Sequence, residues 1–120
     1  MMKRTAIGLS GLLALLASGV AAQRAQTFSG EIMDSPCAAM ASHEKMVQKN
    51  PIGAEDKKKC TLDCVKAGGK FVLYNAANKM VYQLDDQNKP EPFAGANVII
   101  TGTIDQRNNT IHVTDIKPGA

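Results

Sequence analysis

The sequence predicts a mainly β domain in which five short strands form a small barrel, with a helical insert between strands 1 and 2. Five segments show the side-chain patterning of strands, and they are residues 27–34, 70–75, 80–84, 97–105 and 110–116. Closure is favoured because a closed barrel leaves no exposed strand edge. An open antiparallel sheet with helices on one face is the alternative that the pattern leaves open.

The first strand has clear sequence boundaries. Its apolar and polar residues alternate up to Asp34, and Gly30 in its middle indicates a bend or a close backbone approach. Pro36 then ends the strand, because proline has a fixed φ and no N–H to donate to the ladder. Asp34 or Ser35 is therefore placed near the cap of a following helix.

Two helices make up the predicted insert, which spans about residues 38–67. The first covers residues 38–49 and the second covers residues 55–67. The second has acidic residues in its first turn and two glycines after its end, as the helix dipole and the left-handed cap favour. Cys60 and Cys64 lie four residues apart in this helix and are expected on one face.

The remaining strands are separated by turn signals. Turns are predicted at residues 76–79 and 106–109, and the second makes a hairpin of strands 4 and 5. Asp85 and Asp86 open a solvated loop and lack the ligand spacing of an EF-hand. His112 lies between two apolar residues, so its side chain is expected to be exposed on the opposite face of the strand.

The amino terminus predicts export. A basic start and an apolar run over residues 6–16 are followed by small residues up to Ala22, the pattern of a cleaved secretory signal. The run is shorter than the roughly 20 residues that a transmembrane helix needs. We therefore expect residues 1–22 to be removed and residues 23–120 to form a single domain, periplasmic or secreted.

Charge and composition argue against two classes of partner. The chain has a net charge of +3 at pH 7, and loss of Lys3 and Arg4 with the signal would leave +1. A nearly neutral protein has little electrostatic attraction for nucleic acid or anionic membranes. Aromatic residues make up only 4% of the chain, so few side chains can stack on bases. We expect no nucleic-acid partner, and no membrane partner after cleavage.

The three cysteines carry the strongest functional signal. An odd number of thiols in an oxidising compartment predicts either one disulfide with a spare thiol or a metal site. A bridge from Cys37 to Cys60 or Cys64 would close 24 or 28 residues. Such a bridge would stabilise the fold by about 3.5 kcal/mol. Cys60 and Cys64 are poorly placed to pair with each other, because helix neighbours hold their Cβ atoms about 5–6 Å apart.

The metal alternative uses Cys37, His43, Cys60 and Cys64 as ligands of one zinc or copper ion. The spacing of the four residues matches no zinc finger, and exported thiols tend to be oxidised before they meet metal. Thioethers nearby in the sequence would extend a copper-selecting shell, although methionine more often fills gaps in a core. These methionines are Met33, Met40 and Met46.

Four segments carry a resemblance to a known family, and they are residues 28–37 with His43, residues 60–74, residues 95–105 and residues 110–113. Through these segments the chain resembles a family of uncharacterised small exported bacterial proteins, a domain of unknown function. The resemblance implies an OB-like β-barrel with a helical insert that bears cysteine and histidine. It implies no activity, because the family has none assigned.

We expect a non-enzymatic exported domain that binds an unknown small ligand or protein, has no cofactor, and is stapled by a disulfide from Cys37. The alternative is a periplasmic zinc- or copper-binding protein that uses Cys37, His43, Cys60 and Cys64. A thiol-dependent redox enzyme that attacks through Cys60 or Cys64 is the third hypothesis. It is the least supported, because the sequence has no Cys-x-x-Cys motif and both cysteines lie within a helix rather than at its start.

Overall fold

The computed structural model of the protein describes residues 24–40 and 54–119. Within them a 3-10 turn at Glu91–Phe93 precedes the fourth strand. The predicted signal segment, His43 and Met46 lie outside the described residues. The elements in chain order are β1 Gln26–Asp34, α1 Ser35–Met40, α2 Ala54–Lys66, β2 Phe71–Asn75, β3 Met80–Leu84, β4 Asn97–Asp105 and β5 Thr110–Pro118.

The five strands close into a barrel in the order β1-β2-β3-β5-β4. β1 is long enough to pair antiparallel with β2 at one end and with β4 at the other, and β4 and β5 form the predicted hairpin. β3 and β5 run parallel and share two registered pairs, Gln83 with Thr110 and Leu84 with Ile111. The prediction of a five-stranded OB-like barrel with a helical insert between strands 1 and 2 is confirmed.

The barrel interior is filled by large apolar side chains from alternate strand positions. Ile32, Leu73, Ile100 and Ile111 come from four different strands and are completely buried in one cluster. Burying a side chain of this size contributes about 1.5–3 kcal/mol relative to leaving it exposed. This interior cluster is the main hydrophobic support of the fold.

A second apolar cluster lies on the outside of the barrel, beneath the helical insert. Met33 and Val72 follow or precede interior residues of β1 and β2, so they point outward, and both are fully buried against Ala38 of α1. The end of β1 is therefore covered on both faces, by the barrel interior and by the insert. This outer cluster forms the floor on which the cysteines lie.

Gly30 allows β1 to approach β2 closely. A Cβ atom at this position would lie 2.5 Å from the backbone oxygen of Tyr74, closer than real Cβ contacts come. The close backbone approach that the sequence indicated at Gly30 is therefore confirmed.

The two described helices differ from their predicted bounds, and residues 41–49 of the first predicted helix lie outside the described residues. α1 begins at Ser35 rather than at residue 38, because the Asp34 carboxylate caps it from the residue before. α2 ends at Lys66, one residue earlier than predicted, and Gly68 follows with a φ of 114°. Of the helices in the described ranges, none has the length and apolar character needed to cross a membrane.

Candidate metal centre

The structure brings one carboxylate and all three thiols together at the edge of the insert. Asp34, Cys37, Cys60 and Cys64 each offer one ligand atom, and these four atoms lie within 4.8 Å of one another. The three cysteines form no disulfide with one another. The cluster joins the end of β1 to both described helices.

Asp34 and Cys37 are positioned by the junction between β1 and α1. The Cys37 N–H donates a 2.9 Å hydrogen bond to Oδ2 of Asp34, which is the N-cap interaction expected of an aspartate before a helix. Ser35 anchors the junction to the other end of the insert, because its N–H donates to the Lys70 carbonyl and its Oγ accepts from the Lys70 N–H. The first half of the site is thus fixed by one backbone–backbone hydrogen bond and by two that the Asp34 and Ser35 side chains accept from backbone N–H groups.

Cys60 and Cys64 come from one face of α2, as their four-residue spacing predicted. The helix ends directly after them, where the Gly69 N–H donates a 3.0 Å hydrogen bond to the Cys64 carbonyl. An ion pair between Lys57 of α2 and Glu31 of β1, 3.8 Å between Nζ and Oε1, holds the helix against the barrel. The second half of the site is therefore a rigid helical pair of thiols.

The exposed fraction of the four residues increases from the floor of the site to its surface. The Asp34 side chain is completely buried and Cys37 is 8% exposed, whereas Cys60 and Cys64 are half-buried. Met33, Val72 and Tyr74 form the apolar floor. A cation held here would contact two buried ligands beneath it and two accessible thiols above.

The electrostatics of the cluster favour protonated thiols in the absence of a cation. Burial raises the pKa of the Cys60 thiol, and its neighbours Cys37 and Asp34 raise it further. Burial also raises the pKa of the Cys64 thiol, and the Asp34 carboxylate adds to the rise. A thiophilic cation would therefore bind in competition with protons, as metal ions do at cysteine sites generally.

The structure describes some of the predicted site residues and not others. Cys37, Cys60 and Cys64 lie together, whereas His43 and Met46 lie outside the described residues. Met33 is buried in the floor beside the cysteines, and Met40 at the end of α1 is 59% exposed. A disulfide from Cys37 stays a prediction, because the sulfur atoms are adjacent but unbonded.

Asp34 is the residue of the cluster that the sequence did not assign to the site. The sequence placed Asp34 or Ser35 near the cap of the first helix, and the structure assigns the cap to Asp34. The predicted cap was the sequence signal that could have placed Asp34 at the site, because an N-cap side chain necessarily lies beside the first turn of its helix. Cys37 is in that first turn.

A separate polar pair lies where β3 meets β5. His112 is exposed as predicted, with 70% of its side chain accessible, and its Nδ1 is hydrogen-bonded to Oδ2 of Asp85. The other oxygen of Asp85 accepts a 2.9 Å hydrogen bond from the Val113 N–H. Asp85 is therefore an anchored carboxylate rather than only a residue of a solvated turn.

Comparison with known proteins gives one family match. Residues 65–119 match the family model described as Protein of unknown function (DUF5818). The DUF5818 match covers β2 to β5 and begins directly after Cys64, so it includes the Asp85–His112 pair but none of the cysteines. It supports the expectation of an uncharacterised domain. Neither a curated protein nor a solved structure matches the chain.

Proposed function

We propose that this protein binds one thiophilic metal cation, zinc or copper(I), through Cys37, Cys60 and Cys64. The observation that supports the proposal is the convergence of three sulfur atoms from α1 and α2 within 4.8 Å of one another. Zinc–sulfur bonds of about 2.3 Å in a tetrahedral site place sulfur atoms about 3.8 Å apart. Small side-chain rotations would therefore bring the three thiolates to bonding distance around an ion.

A metal ion accounts for more of the cluster than a disulfide does. A disulfide uses two sulfur atoms and leaves the third thiol beside a buried carboxylate. A cation uses all three thiolates and offsets the negative charge of Asp34, which is completely buried. The helical pair Cys60 and Cys64 supplies two ligands on a rigid element, and Cys37 supplies the third from the opposite helix.

The second candidate function is that of a ligand-binding domain stabilised by a disulfide from Cys37. Cys37 lies in one cluster with both cysteines of α2, so it can form a disulfide with either of them after a small rotation. In this state the barrel surface would bind a small ligand or protein, and the cysteine corner would only stabilise the insert. The export expected from the amino terminus bears on the choice, because an oxidising compartment favours the disulfide.

Metal and thiol counts on the purified protein separate the two candidates. The protein is prepared without oxygen, exposed to one equivalent of zinc or copper(I), passed through a desalting column, and assayed by elemental analysis and by titration with a thiol reagent. We expect one ion per chain and three thiols that react slowly until a chelator is added.

The ion should be lost from each of three variants, Cys37→Ser, Cys60→Ser and Cys64→Ser. The control variant Asp63→Asn, at an exposed neighbour of Cys64, should retain it. Three fast-reacting thiols and no retained ion would contradict the proposal.

A further inference from the structure

We propose, on the basis of the metal-binding function proposed for the three cysteines, that Asp34 is the fourth ligand of the site and makes it selective for zinc over copper(I). Asp34 is the one residue of the cluster that offers oxygen rather than sulfur. The ion that this site would select is a divalent ion of borderline softness.

The carboxylate of Asp34 has one oxygen that the fold does not use. The side chain is completely buried, and its Oδ2 accepts the hydrogen bond from the Cys37 N–H. Its Oδ1 is buried and accepts no hydrogen bond of normal geometry from the described residues, and the donor beside the carboxylate is the Cys64 thiol, whose pKa the carboxylate raises. Buried carboxylate oxygens are normally paired with a donor or a cation, because an uncompensated one destabilises the fold.

The cap role of Asp34 does not explain the charge at this position. Asparagine and serine cap a helix about as well as aspartate does, and neither would bring a carboxylate into a buried pocket with three thiols. Metal binding requires the three thiols to ionise, and a carboxylate beside the resulting thiolates is unfavourable unless a cation lies between them. Aspartate at residue 34 therefore fits a site that holds a metal ion.

The donor set of three sulfurs and one oxygen distinguishes zinc from copper(I). Zinc takes four ligands in a tetrahedron and accepts thiolate and carboxylate together. Copper(I) is softer, and thiolates alone satisfy it. Removing the oxygen should therefore weaken zinc binding and leave copper(I) on the three sulfurs.

Asp34→Asn is the decisive variant. Asparagine keeps the size of the side chain and an oxygen that can cap α1, and it removes the charge. Asp34→Ser is a second variant that also caps the helix but places no amide in the pocket. Asp63→Asn is the matched control, because Asp63 is an exposed carboxylate on the same helix as the cysteines, paired with Lys59. Circular dichroism of each apoprotein verifies that the fold is retained.

Zinc affinity is measured by competition with a chromophoric zinc chelator, and copper(I) affinity by competition with a chromophoric copper(I) chelator under anaerobic conditions. We expect Asp34→Asn and Asp34→Ser to weaken zinc binding at least about tenfold. Copper(I) affinity should stay within about twofold of the wild-type value, because three thiolates are sufficient for that ion. Cobalt(II) replaces zinc as a spectroscopic probe, and its tetrahedral absorption bands should shift in both variants at Asp34 but not in Asp63→Asn.

The outcomes that overturn the inference differ from those that overturn the metal-binding function. Wild-type protein that holds neither ion refutes the function itself. If the folded Asp34→Asn and Asp34→Ser variants bind zinc as tightly as the wild type does, Asp34 is only a helix cap. Equal weakening of zinc and copper(I) shows that Asp34 positions the thiols without selecting the metal. Tight copper(I) binding with weak zinc binding in the wild type also refutes the selectivity.

Discussion

Asp85 and His112 are joined by a side-chain hydrogen bond across the parallel seam between β3 and β5. Asp85 directly follows β3, and its backbone N–H donates to the Ile111 carbonyl while its carboxylate accepts from the Val113 N–H. The two strands share only the two registered pairs that precede this point. Asp85 therefore extends a short seam at which the barrel closes.

Removing the Asp85 side chain should loosen this seam. Asp85→Ala deletes both carboxylate interactions, and we expect it to lower the free energy of unfolding by about 1–2 kcal/mol, the range for one or two hydrogen bonds of a partly exposed group. His112→Gln should cost less, about 0.2–1 kcal/mol, because it breaks only the exposed pair. Urea denaturation of both single variants and of the double variant measures the coupling. If their effects simply add, the two side chains do not interact.

The same carboxylate predicts how stability changes in acid. Burial tends to raise the pKa of Asp85, but the hydrogen bond from Val113 and the pairing with His112 outweigh it and hold the pKa below its ordinary value. The folded protein thus keeps this carboxylate ionised to lower pH than the unfolded chain, whose value is about 3.9. The stabilisation is present above that pH and is lost as the pH falls through the folded pKa.

Asp85→Asn should therefore flatten the acid limb of the stability curve. The measurement is urea denaturation at a series of pH values between about 2 and 6, which spans both titrations. Asp115→Asn, at an exposed position of β5, is the control that shows how much of any change comes from losing a carboxylate on this strand rather than from losing Asp85. An unchanged slope in Asp85→Asn would mean that the carboxylate titrates alike in the folded and unfolded states.

The sequence predicted the strands well because each has a local signal, and it missed the contacts that depend on topology. Alternation placed Ile32 and Met33 on opposite faces of β1, and that holds. It could not show that the outer face is also covered, because the cover comes from helices that follow β1. The pairing of Asp85 with His112 spans 27 residues and exists only because β3 and β5 meet when the barrel closes.

Of the candidate site, only the three sulfur ligands could be predicted from the sequence. The four-residue spacing of Cys60 and Cys64 in a helix fixes their common face. That Cys37 lies with them depends on how α1 and α2 pack on the outside of the barrel, which no local pattern encodes. Asp34 had a sufficient local explanation as a cap, so its second oxygen became visible only as a buried atom that accepts no hydrogen bond of normal geometry from the described residues.

Oxidation should use Cys37 in every intramolecular disulfide. Two thiols lose two protons and two electrons to a disulfide oxidant such as oxidised glutathione, and Cys60 cannot reach Cys64 while both lie in α2. The oxidised wild type should keep one thiol, Cys60→Ser and Cys64→Ser should keep none, and Cys37→Ser should keep both of its thiols. The bridge should add about 3.5 kcal/mol to the free energy of unfolding.

Thiol titration and peptide mapping after oxidation give the pairing. Zinc added before the oxidant should slow the loss of thiols, because a bound thiolate is not available to attack a disulfide. A disulfide between Cys60 and Cys64 in the folded protein would contradict the placement of both residues in one continuous helix.

Thr61 offers a test of the packing beside the site. Its side chain is completely buried on α2 next to Cys60, and its Oγ1 has no hydrogen-bond partner in the described part of the chain. Valine has the same shape without the hydroxyl and a similar helix propensity. We therefore expect Thr61→Val to raise the free energy of unfolding by about 1 kcal/mol, because it removes the cost of an unsatisfied buried hydroxyl.

Thr61→Ser is the matched control. It keeps the hydroxyl and loses the buried methyl group, so it should lower the free energy of unfolding by about 1 kcal/mol. Urea denaturation of the reduced, metal-free protein measures both changes, and a Thr61→Val variant less stable than the wild type would show that the hydroxyl is hydrogen-bonded after all.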